Sequence, residues 1–368
     1  MKLLIISNGS IGIHLTPEYQ DNNHTSHFLK NIRGGHAITY AGNSTSYDKN
    51  KLTKKHNLDQ YTLTYQVLPN KKSIKFLPAL IKLVKEHDLT YLFYPGTLST
   101  VVAMIALTYR KPYGLYIRGQ FYNQTFLDPL ILRRARFMLT ITQGFKDQLQ
   151  KFCPKVEVIR PMISIKIEDF KTDRKYEISK RRNLLFVGRV EERKGINELI
   201  HIAQNLKKTE DIDFILNIVG DGDLLLALKE QINALPIKSN IKFHGVIGSK
   251  NKLMTLYNEA DAFIFTTHDE GFPRVLYEAM ASALPIFTTF VGGIPGLMKH
   301  LYNCIEIPVR NADTASILIS KYLNDPDTLR SIGTNGQKTI EGIIDGSLLT
   351  HEKQFLRFVD QEGLVSPK

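Results

Sequence analysis

Cysteine is scarce in this chain, and long apolar runs are missing. The two cysteines, Cys153 and Cys304, fall in different halves of the 368 residues. Two isolated thiols form neither a disulfide framework nor a zinc site, so we expect both to be buried or incidental. The apolar start Met1–Ser7 is too short for a signal peptide. The longest later apolar run, Thr100–Leu107, is far shorter than the roughly 20 residues of a membrane-spanning helix. These absences predict a cytoplasmic protein that is soluble or peripheral to a membrane.

Several familiar ligand motifs are also missing. No G-x4-G-K-[ST] phosphate loop occurs, and Gly220-Asp-Gly222 lacks the third glycine of the dinucleotide fingerprint. Asp221-Gly-Asp223 superficially matches a D-x-D metal motif, but within Val-Gly-Asp-Gly it is more typical of a turn. No helix-turn-helix, zinc finger or RNA-recognition motif is present. We therefore predict that the protein needs no nicotinamide and no metal, and that it binds no nucleic acid.

Positive charge is concentrated in the first half of the chain. Residues 1–165 contain 22 Lys and Arg against 9 Asp and Glu, whereas residues 166–368 contain 26 against 27. A basic face of this kind is attracted to anionic lipid by about 1 kcal/mol for each residue near the surface. Solubility alone is the plainer explanation, but we expect contact with an anionic membrane. The basic clusters are Lys54-Lys55, Lys71-Lys72 with Lys75, Arg110-Lys111, and Arg133-Arg134 with Arg136.

Strand and helix patterns alternate along nearly the whole chain. A length of 368 residues exceeds what one hydrophobic core usually supports, so two domains are expected. Alternating elements favour parallel sheets covered by helices. Only the charged stretch 166–182 loses this rhythm, which predicts a linker. The predicted divisions are an N-terminal domain over 1–165, the linker, a C-terminal domain over 183–345, and a final helical segment over 346–368.

The segment from Glu270 to Glu278 is the most informative part of the sequence. Residues 262–267 form an apolar strand pattern, so Glu270 follows the carboxyl end of a strand, where open α/β sheets bind ligands. The Gly-Phe-Pro turn then opens a helix at Arg274, whose free N–H groups favour an anion. Glu278 lies about two turns along that helix and can accept hydrogen bonds from a diol such as ribose. An anion beside a diol describes a nucleoside diphosphate.

Five motifs in order resemble glycosyltransferase family 4, a group of retaining enzymes with the GT-B fold. The resemblance covers roughly residues 183–300. It implies two Rossmann-like parallel-sheet domains facing each other across a cleft, with the last helix crossing back to the N-terminal domain. The motifs are Phe186-Val-Gly-Arg-Val-Glu-Glu-Arg-Lys-Gly195, Val219-Gly-Asp-Gly222, Phe243-His-Gly-Val246 with Tyr257-Asn-Glu-Ala-Asp261, Glu270–Glu278 with its seven intervening residues, and Val291-Gly-Gly-Ile294.

The resemblance also implies roles for individual residues. Arg189 and Lys194 would stabilise the departing diphosphate, and Glu270 would hold the donor sugar and steady positive charge at its anomeric carbon. Glu278 would hold the ribose, and the base would lie against the Phe243–Ile247 segment. The remaining predicted donor-binding residues are Gly188, Val246, Gly271, Phe272, Pro273, Arg274, Val275 and Arg118.

The sequence departs from the family at several positions. Arg118-Gly119 stands where many members have a histidine near the donor sugar. The usual glycine-rich first loop is replaced by residues 8–18, within a predicted loop from Asn8 to about Asp21. That loop should face the acceptor, which makes Gly9, His14 and Glu18 acceptor-side candidates. Ala283 and Phe290 replace a common Gly and Asp.

The function expected from these observations is metal-independent, retaining transfer of a sugar from a nucleotide-diphosphate donor to a glycan acceptor. A lipid-linked acceptor in the synthesis of a surface or secreted polysaccharide fits the basic first half. Two alternatives share the fold: a sugar-nucleotide epimerase, which would need no acceptor, and a non-catalytic nucleotide-sugar-binding protein. Glu270, Glu278, Arg189 and Lys194 together favour the transferase.

Overall fold

The computed structural model of the chain divides into two compact units. Unit 1 comprises Met1–Met162 and Leu348–Lys368, and unit 2 comprises Ile163–Ser347. The structure describes residues 1–13, 17–20, 23–32, 35–45, 55–57, 63–69, 71–117, 125–161, 165–171, 173–177, 181–209, 212–271, 273–346 and 348–363.

Unit 1 is built on a sheet in which seven strands run parallel. Their order is β5-β3-β1-β6-β7-β8-β9, and β2 and β4 extend the sheet with antiparallel pairs from the end of β1. Central strands such as β6 and β7 are buried at every residue, as expected for strands covered on both faces. The strands are β1 (Lys2–Ile13), β2 (Pro17–Gln20), β3 (Ala37–Thr45), β4 (Lys55–Asn57), β5 (Thr64–Leu68), β6 (Leu89–Tyr94), β7 (Tyr113–Ile117), β8 (Phe137–Thr140) and β9 (Val156–Val158).

Helices cover both faces of this sheet. Four of them, α2 to α5, contribute buried residues to one core, and α1 contributes to a second core on the opposite face. The helix α2 has one buried face, formed by Leu80, Leu83 and Val84. Apolar residues spaced three and four apart fall on one side of a helix, so this pattern favours the helical form. The helices are α1 (Asn23–Asn31), α2 (Phe76–Glu86), α3 (Thr97–Thr108), α4 (Asp128–Arg134) and α5 (Gln143–Leu149).

The predicted loop from Asn8 to Asp21 is wrong. Strand β1 continues to Ile13, and β2 returns antiparallel to it, with Glu18 opposite Gly12. The polar sequence Asn8-Gly-Ser gives no sign of this extension. The pairing of β1 with β3 does not end there, because its register shifts between Ile6 and Ser10 and the pairing then continues. Gly9 and Glu18 therefore lie in strands, whereas His14 lies outside the described residues.

Unit 2 repeats the winding with six parallel strands in the order β12-β11-β10-β13-β14-β15. Its strands are β10 (Arg181–Val187), β11 (Asp213–Val219), β12 (Ile241–Gly245), β13 (Ala262–Phe265), β14 (Ile286–Thr288) and β15 (Ile305–Glu306). Its helices are α6 (Ile196–Thr209), α7 (Leu225–Asn233), α8 (Lys250–Glu259), α9 (Arg274–Ala281), α10 (Ala312–Leu323) and α11 (Pro326–Ile344).

The stretch predicted as a linker packs largely on unit 2. Ile165 is 3% exposed within the unit 2 core, and Arg174 donates hydrogen bonds to backbone carbonyls of this unit. Tyr176 donates to the carbonyl of Ala283 at 2.8 Å. These contacts make residues 165–171 and 173–177 part of the unit, although their charged sequence shows no apolar period.

The last helix, α12 (His351–Gly363), returns to unit 1, as the predicted fold requires. Its aromatic side chains fill the core that α1 shares with the sheet: Phe355 lies 4.4 Å from Tyr91 between ring centroids, and Phe358 stacks on Phe137 at 4.7 Å. The Tyr91 hydroxyl also lies 2.7 Å from Nε2 of His351. The predicted class, two Rossmann-like parallel-sheet domains with a returning C-terminal helix, is confirmed.

Within the described part of the chain, every helix is too short or too polar to cross a membrane.

Candidate functional site

Most of the predicted donor residues of unit 2 follow the two strands at which its strand order reverses. The chain passes from β10 to β11 on one side and later reaches β13 on the other, so β10 and β13 are neighbours. Leu185 pairs with Phe263 in this parallel register, which brings the carboxyl ends of both strands to one edge. Such a switch point is the usual ligand crevice of an open α/β sheet. Gly188 and Arg189 leave one strand here, and Glu270 follows the other.

Two loops are bonded together at this edge. The hydroxyl of Thr266 donates to the carbonyl of Gly195 at 2.7 Å, and the backbone N–H of His268 donates to the carbonyl of Arg193 at 2.9 Å. Gly195 has a φ of 64°, and a Cβ there would overlap the carbonyl oxygen of Thr266. Glycine is therefore required for this approach. The short 3₁₀ turn Glu192–Lys194 is fixed against the loop that carries Glu270.

Lys194 and Glu270 form an ion pair between these loops. The ammonium contacts Oε1 of the carboxylate, and the two side chains are only 13% and 14% exposed. Opposite charges held this far from water are stabilised by each other, and removal of one leaves the other without its partner. Lys194 and Glu270, two of the three residues predicted to be catalytic, are thus in contact, and the third is Arg189.

Arg189 has a different environment from Lys194. Its side chain is 64% exposed and pairs with Glu191 at 3.0 Å. Glu191 also pairs with Arg193 at 3.4 Å, and Arg193 lies 3.8 Å from Asp269. The sequence prediction treated Arg189 and Lys194 alike and gave no role to Glu191, Arg193 or Asp269. The charge run between Arg189 and Lys194 was the available signal for this network.

Glu278 accepts a hydrogen bond from a buried tyrosine. The hydroxyl of Tyr257 on α8 donates to Oε2 of Glu278 on α9 at 2.9 Å, and Tyr257 has no solvent exposure. Burial raises the pKa of the Glu278 carboxyl, against the lowering effects of the Tyr257 hydrogen bond and the charges of Arg274 and Lys250. Burial, and then the charge of Glu278, raises the pKa of Tyr257 well above its ordinary value. Tyr257 stands in a sequence motif, but the motif gives no sign of this contact.

The first turn of α9 lies beside Glu270. Pro273 precedes the helix in an extended conformation and provides no side-chain cap, so no capping side chain binds the first N–H groups of the helix, those of Arg274 and Val275. The carbonyl of Gly271 accepts a hydrogen bond from the N–H of Gly293 at 2.8 Å, which ties the Val291–Ile294 motif to the turn. Phe272 lies outside the described residues.

The other donor-site candidates are placed less closely. The carbonyl oxygen of Gly188 lies against the backbone of Gly220, which has a φ of 137°. A Cβ on Gly220 would overlap that oxygen. Val246 lies beyond β12 and is 68% exposed. Arg118 of unit 1 lies outside the described residues, as does His14, and neither role is tested by the structure.

The described residues contain no cluster of three or more His, Cys, Asp or Glu arranged to hold a metal ion. Asp221 accepts a hydrogen bond from the N–H of Gly222 at 2.8 Å, as in a turn. Cys153 and Cys304 are buried free thiols. Independence from metal remains a prediction.

Two doubly wound sheets with a returning terminal helix define the GT-B class of fold. The structure of Anabaena HepE, solved in complex with UDP, matches this fold with a TM-score of 0.68 at 17% sequence identity. The match covers 98% of this chain and all of that one.

Residues 168–339 match the family model of glycosyl transferases group 1. The stretch contains both glutamates, Arg189 and Lys194. An uncharacterized glycosyltransferase of Methanocaldococcus jannaschii is 29% identical over 157 residues, which cover 43% of this chain and 40% of that protein. A putative colanic acid biosynthesis glycosyltransferase of Salmonella typhimurium, WcaL, is 24% identical over 273 residues, covering 72% of this chain and 64% of the relative. The chain thus spans less than two thirds of both relatives.

Proposed function

We propose that this protein transfers a sugar from a nucleotide-diphosphate donor to a glycan acceptor, with retention of anomeric configuration and without a metal. The observation that supports this most directly is the Lys194–Glu270 ion pair beside the uncapped start of α9. A cation, a carboxylate and a helix start without a side-chain cap follow the strands of the switch point, and a donor needs an anion site of this kind next to its sugar.

The chemistry follows from the charges that these groups carry. As the bond from the anomeric carbon to the phosphate oxygen breaks, Lys194, Arg189 and the first N–H groups of α9 stabilise the growing charge of the diphosphate. Glu270 steadies the positive charge that develops at the anomeric carbon. The acceptor oxygen bonds to that carbon from the same face, and its proton passes to the departing phosphate oxygen.

Glu278 recognises the ribose in this proposal. Its Oε2 is held by Tyr257, and the carboxylate can accept hydroxyl hydrogen bonds from the donor in the ground state. Glu270, in contrast, acts chiefly as charge develops, so its contribution belongs to the transition state. The two glutamates are therefore expected to affect different kinetic quantities.

The test is a pair of matched substitutions. Glu278→Gln should weaken nucleoside diphosphate binding in titration calorimetry by about tenfold, since a charge-assisted bond contributes about 1.5–3 kcal/mol. Glu270→Gln should leave that affinity within about threefold and lower turnover by at least about a hundredfold. Equal losses of nucleotide affinity in both variants would contradict these roles. Release of nucleoside diphosphate only when a glycan acceptor is added would separate transfer from epimerisation.

We further propose that the acceptor is lipid-linked, that the product is a surface or secreted polysaccharide, and that unit 1 docks on the cytoplasmic face of an anionic membrane. The colanic acid relative supports the polysaccharide assignment. The segment that enters α2 supports docking, because Ile74 is 92% exposed and Leu77 50% exposed among Lys71, Lys72 and Lys75. Apolar and basic side chains on one exposed turn suit a lipid surface.

Liposome co-sedimentation tests the docking proposal. Binding should require anionic lipid and fall with added salt, since the Debye length is about 10 Å at 0.1 M. Replacing Arg133, Arg134 and Arg136 with Gln should lower activity on a lipid-linked acceptor more than on a short soluble analogue. All three side chains are exposed. Equal binding to purely zwitterionic liposomes would contradict electrostatic docking.

A further inference from the structure

Arg174 holds the ends of two helices together. Its Nε donates to the carbonyl of Ser282 at 2.6 Å, and its Nη1 donates to the carbonyl of Ala260 at 2.5 Å. Its Nη2 donates to the carbonyl of Tyr257 at 2.6 Å and lies 3.4 Å from that of Asn258. One guanidinium therefore serves four backbone oxygens in two parts of the fold.

These oxygens belong to the carboxyl ends of α8 and α9. Tyr257 and Asn258 are in the last turn of α8 and Ala260 follows it, while Ser282 is the residue after α9. The last carbonyls of a helix lack partners within the helix and carry its negative dipole end. A fixed cation with a planar fork of donors satisfies both ends at once. Arg174 consequently sets the spacing between the two helices.

The same two helices carry the two partners at the proposed ribose site. Tyr257 lies on α8 and Glu278 on α9, and their hydrogen bond of 2.9 Å bridges the helices. A small shift of either helix would lengthen this bond. The backbone carbonyl of Tyr257 accepts from Arg174 while its hydroxyl donates to Glu278, so one residue connects the guanidinium to the carboxylate.

A second set of bonds anchors the segment that carries Arg174. The N–H of Lys171 donates to the carbonyl of Ala281 at 3.1 Å, and the side chain of Gln337 donates to the carbonyls of Lys171 and Ala281 at 2.8 and 3.0 Å. These bonds fix the segment to the end of α9 before Arg174, and the hydroxyl of Tyr176, which donates to the carbonyl of Ala283, fixes it after Arg174. The backbone on which Arg174 stands is therefore fixed to unit 2.

We propose that Arg174 is a positioning residue for ribose recognition, acting through Tyr257 to present Glu278 to the two hydroxyls of the donor nucleotide. This inference rests on the proposed function and deepens it. Tyr257 orients the carboxylate and holds one of its oxygens. Arg174 touches no substrate and fixes the helix that carries Tyr257.

The test compares UDP with 2′,3′-dideoxy-UDP, and the corresponding guanosine pair in parallel, by titration calorimetry. The unmodified protein should prefer the diol. Tyr257→Phe and Arg174→Ala should each reduce that preference about tenfold, because a displaced Glu278 loses a charge-assisted bond to the hydroxyls. Affinity for the dideoxy compound should change by less than about twofold. Arg174→Lys reaches fewer carbonyls than arginine does, so its diol preference should lie between those of the unmodified protein and Arg174→Ala. It takes the place of Arg174→Ala if that variant does not fold.

Arg182→Lys is the matched control. Arg182 is a second buried arginine in the same unit, 3% exposed, and it donates to the carbonyls of Glu177 and Leu323 at 3.0 and 2.6 Å. Those carbonyls belong to the segment before β10 and to the end of α10, not to α8 or α9, so this variant should lose thermal stability while keeping the diol preference. If Arg174 only stabilises the fold, the Arg174 and Arg182 variants should both lose thermal stability and both keep the diol preference.

The outcomes separate the inference from the function on which it rests. Equal losses for the diol and dideoxy compounds, or an unchanged diol preference in Tyr257→Phe and in the Arg174 variant, would overturn the positioning role while leaving nucleotide binding intact. An unmodified protein that binds neither nucleotide pair would overturn the proposed function, and the inference would fall with it.

Discussion

The two units share one winding of the sheet but arrange different chemistry at its carboxyl edge. In unit 2 this edge carries ions: Lys194 contacts Glu270, and Arg189 contacts Glu191. In unit 1 the described edge includes hydroxyls in local bonds: Thr140 donates to the carbonyl of Ile117 at 2.9 Å, and Tyr94 donates to the buried carboxylate of Asp128. A shared fold therefore fixes where a crevice lies, and the side chains decide what it binds.

The units also differ in how their cores are completed. Unit 2 closes its core with a continuous stretch of chain, whereas unit 1 needs α12 from the far end of the sequence. Stability of unit 1 and ligand binding by unit 2 should consequently be separable by mutation.

The largest expected effect is on unit 1. Phe355→Ala should lower the free energy of unfolding by about 4 kcal/mol, because Phe355 is fully buried against Tyr91 and its loss leaves a cavity. Chemical denaturation measures the loss, and nucleoside diphosphate affinity of the folded variant should be unchanged. Ile317→Ala, at a side chain 69% exposed on α10, is the control and should change stability by less than about 0.5 kcal/mol. A large loss of nucleotide affinity in Phe355→Ala would show that the units are not separable.

A second prediction concerns the two cations of unit 2. Lys194→Met should weaken nucleoside diphosphate binding about a hundredfold, since a largely buried charge interacts strongly with an anion. Arg189→Ala should weaken nucleoside diphosphate binding only about fivefold, because the Arg189 side chain is 64% exposed and its charge is screened by solvent. Calorimetry at two salt concentrations measures both, with Arg330→Ala on α11 as a control. Equal losses for Lys194 and Arg189 would contradict the difference in burial.

Ala283 gives a smaller and opposite effect. It follows α9 with a φ of 48°, a left-handed conformation that favours glycine. This finding explains why glycine is common at the position in the resembling family. Ala283→Gly should raise the free energy of unfolding by about 1 kcal/mol. Ala315→Gly, inside α10, should instead lower it by a similar amount, and stabilities that move in the same direction would contradict the strain.

The smallest effect is a pH dependence at Glu278. Burial raises the pKa of this carboxyl above its ordinary value of 4.5, so the folded state binds its proton more tightly than the unfolded state does. The contribution of Glu278 to the stability of the unmodified protein therefore falls as pH rises from about 4.5 through the raised pKa. Glu278→Gln does not titrate, and its stability relative to the unmodified protein should increase over that window and then stay constant. Denaturation series across the window measure the difference, and a constant difference would contradict it.

Much of the fold was predictable from sequence because its strands are buried on both faces and appear as short apolar runs, as in Tyr91–Tyr94. The extension of β1 was missed, since Asn8-Gly9 resembles a strand-ending turn. Phe290, a further departure from the family pattern, has no explanation in the structure.

The candidate site was predictable only in part. Glu270 and Lys194 stand in local motifs, whereas the contact of Tyr257 with Glu278 joins two helices and depends on their packing. Arg174 was missed for a related reason. The composition of a charged stretch is the same whether its cations are exposed to water or bonded to helix ends. Composition alone therefore predicts a linker here.

The return of α12 has a consequence for synthesis on the ribosome. The chain emerges from its N-terminus, so residues 163–347 of unit 2 are complete before His351–Gly363 appear. Until then Phe28, Tyr91 and Phe137 lack the aromatic partners that bury them. The first domain to be made is the last to be finished, and a nascent chain carries an apolar surface of the kind that chaperones bind.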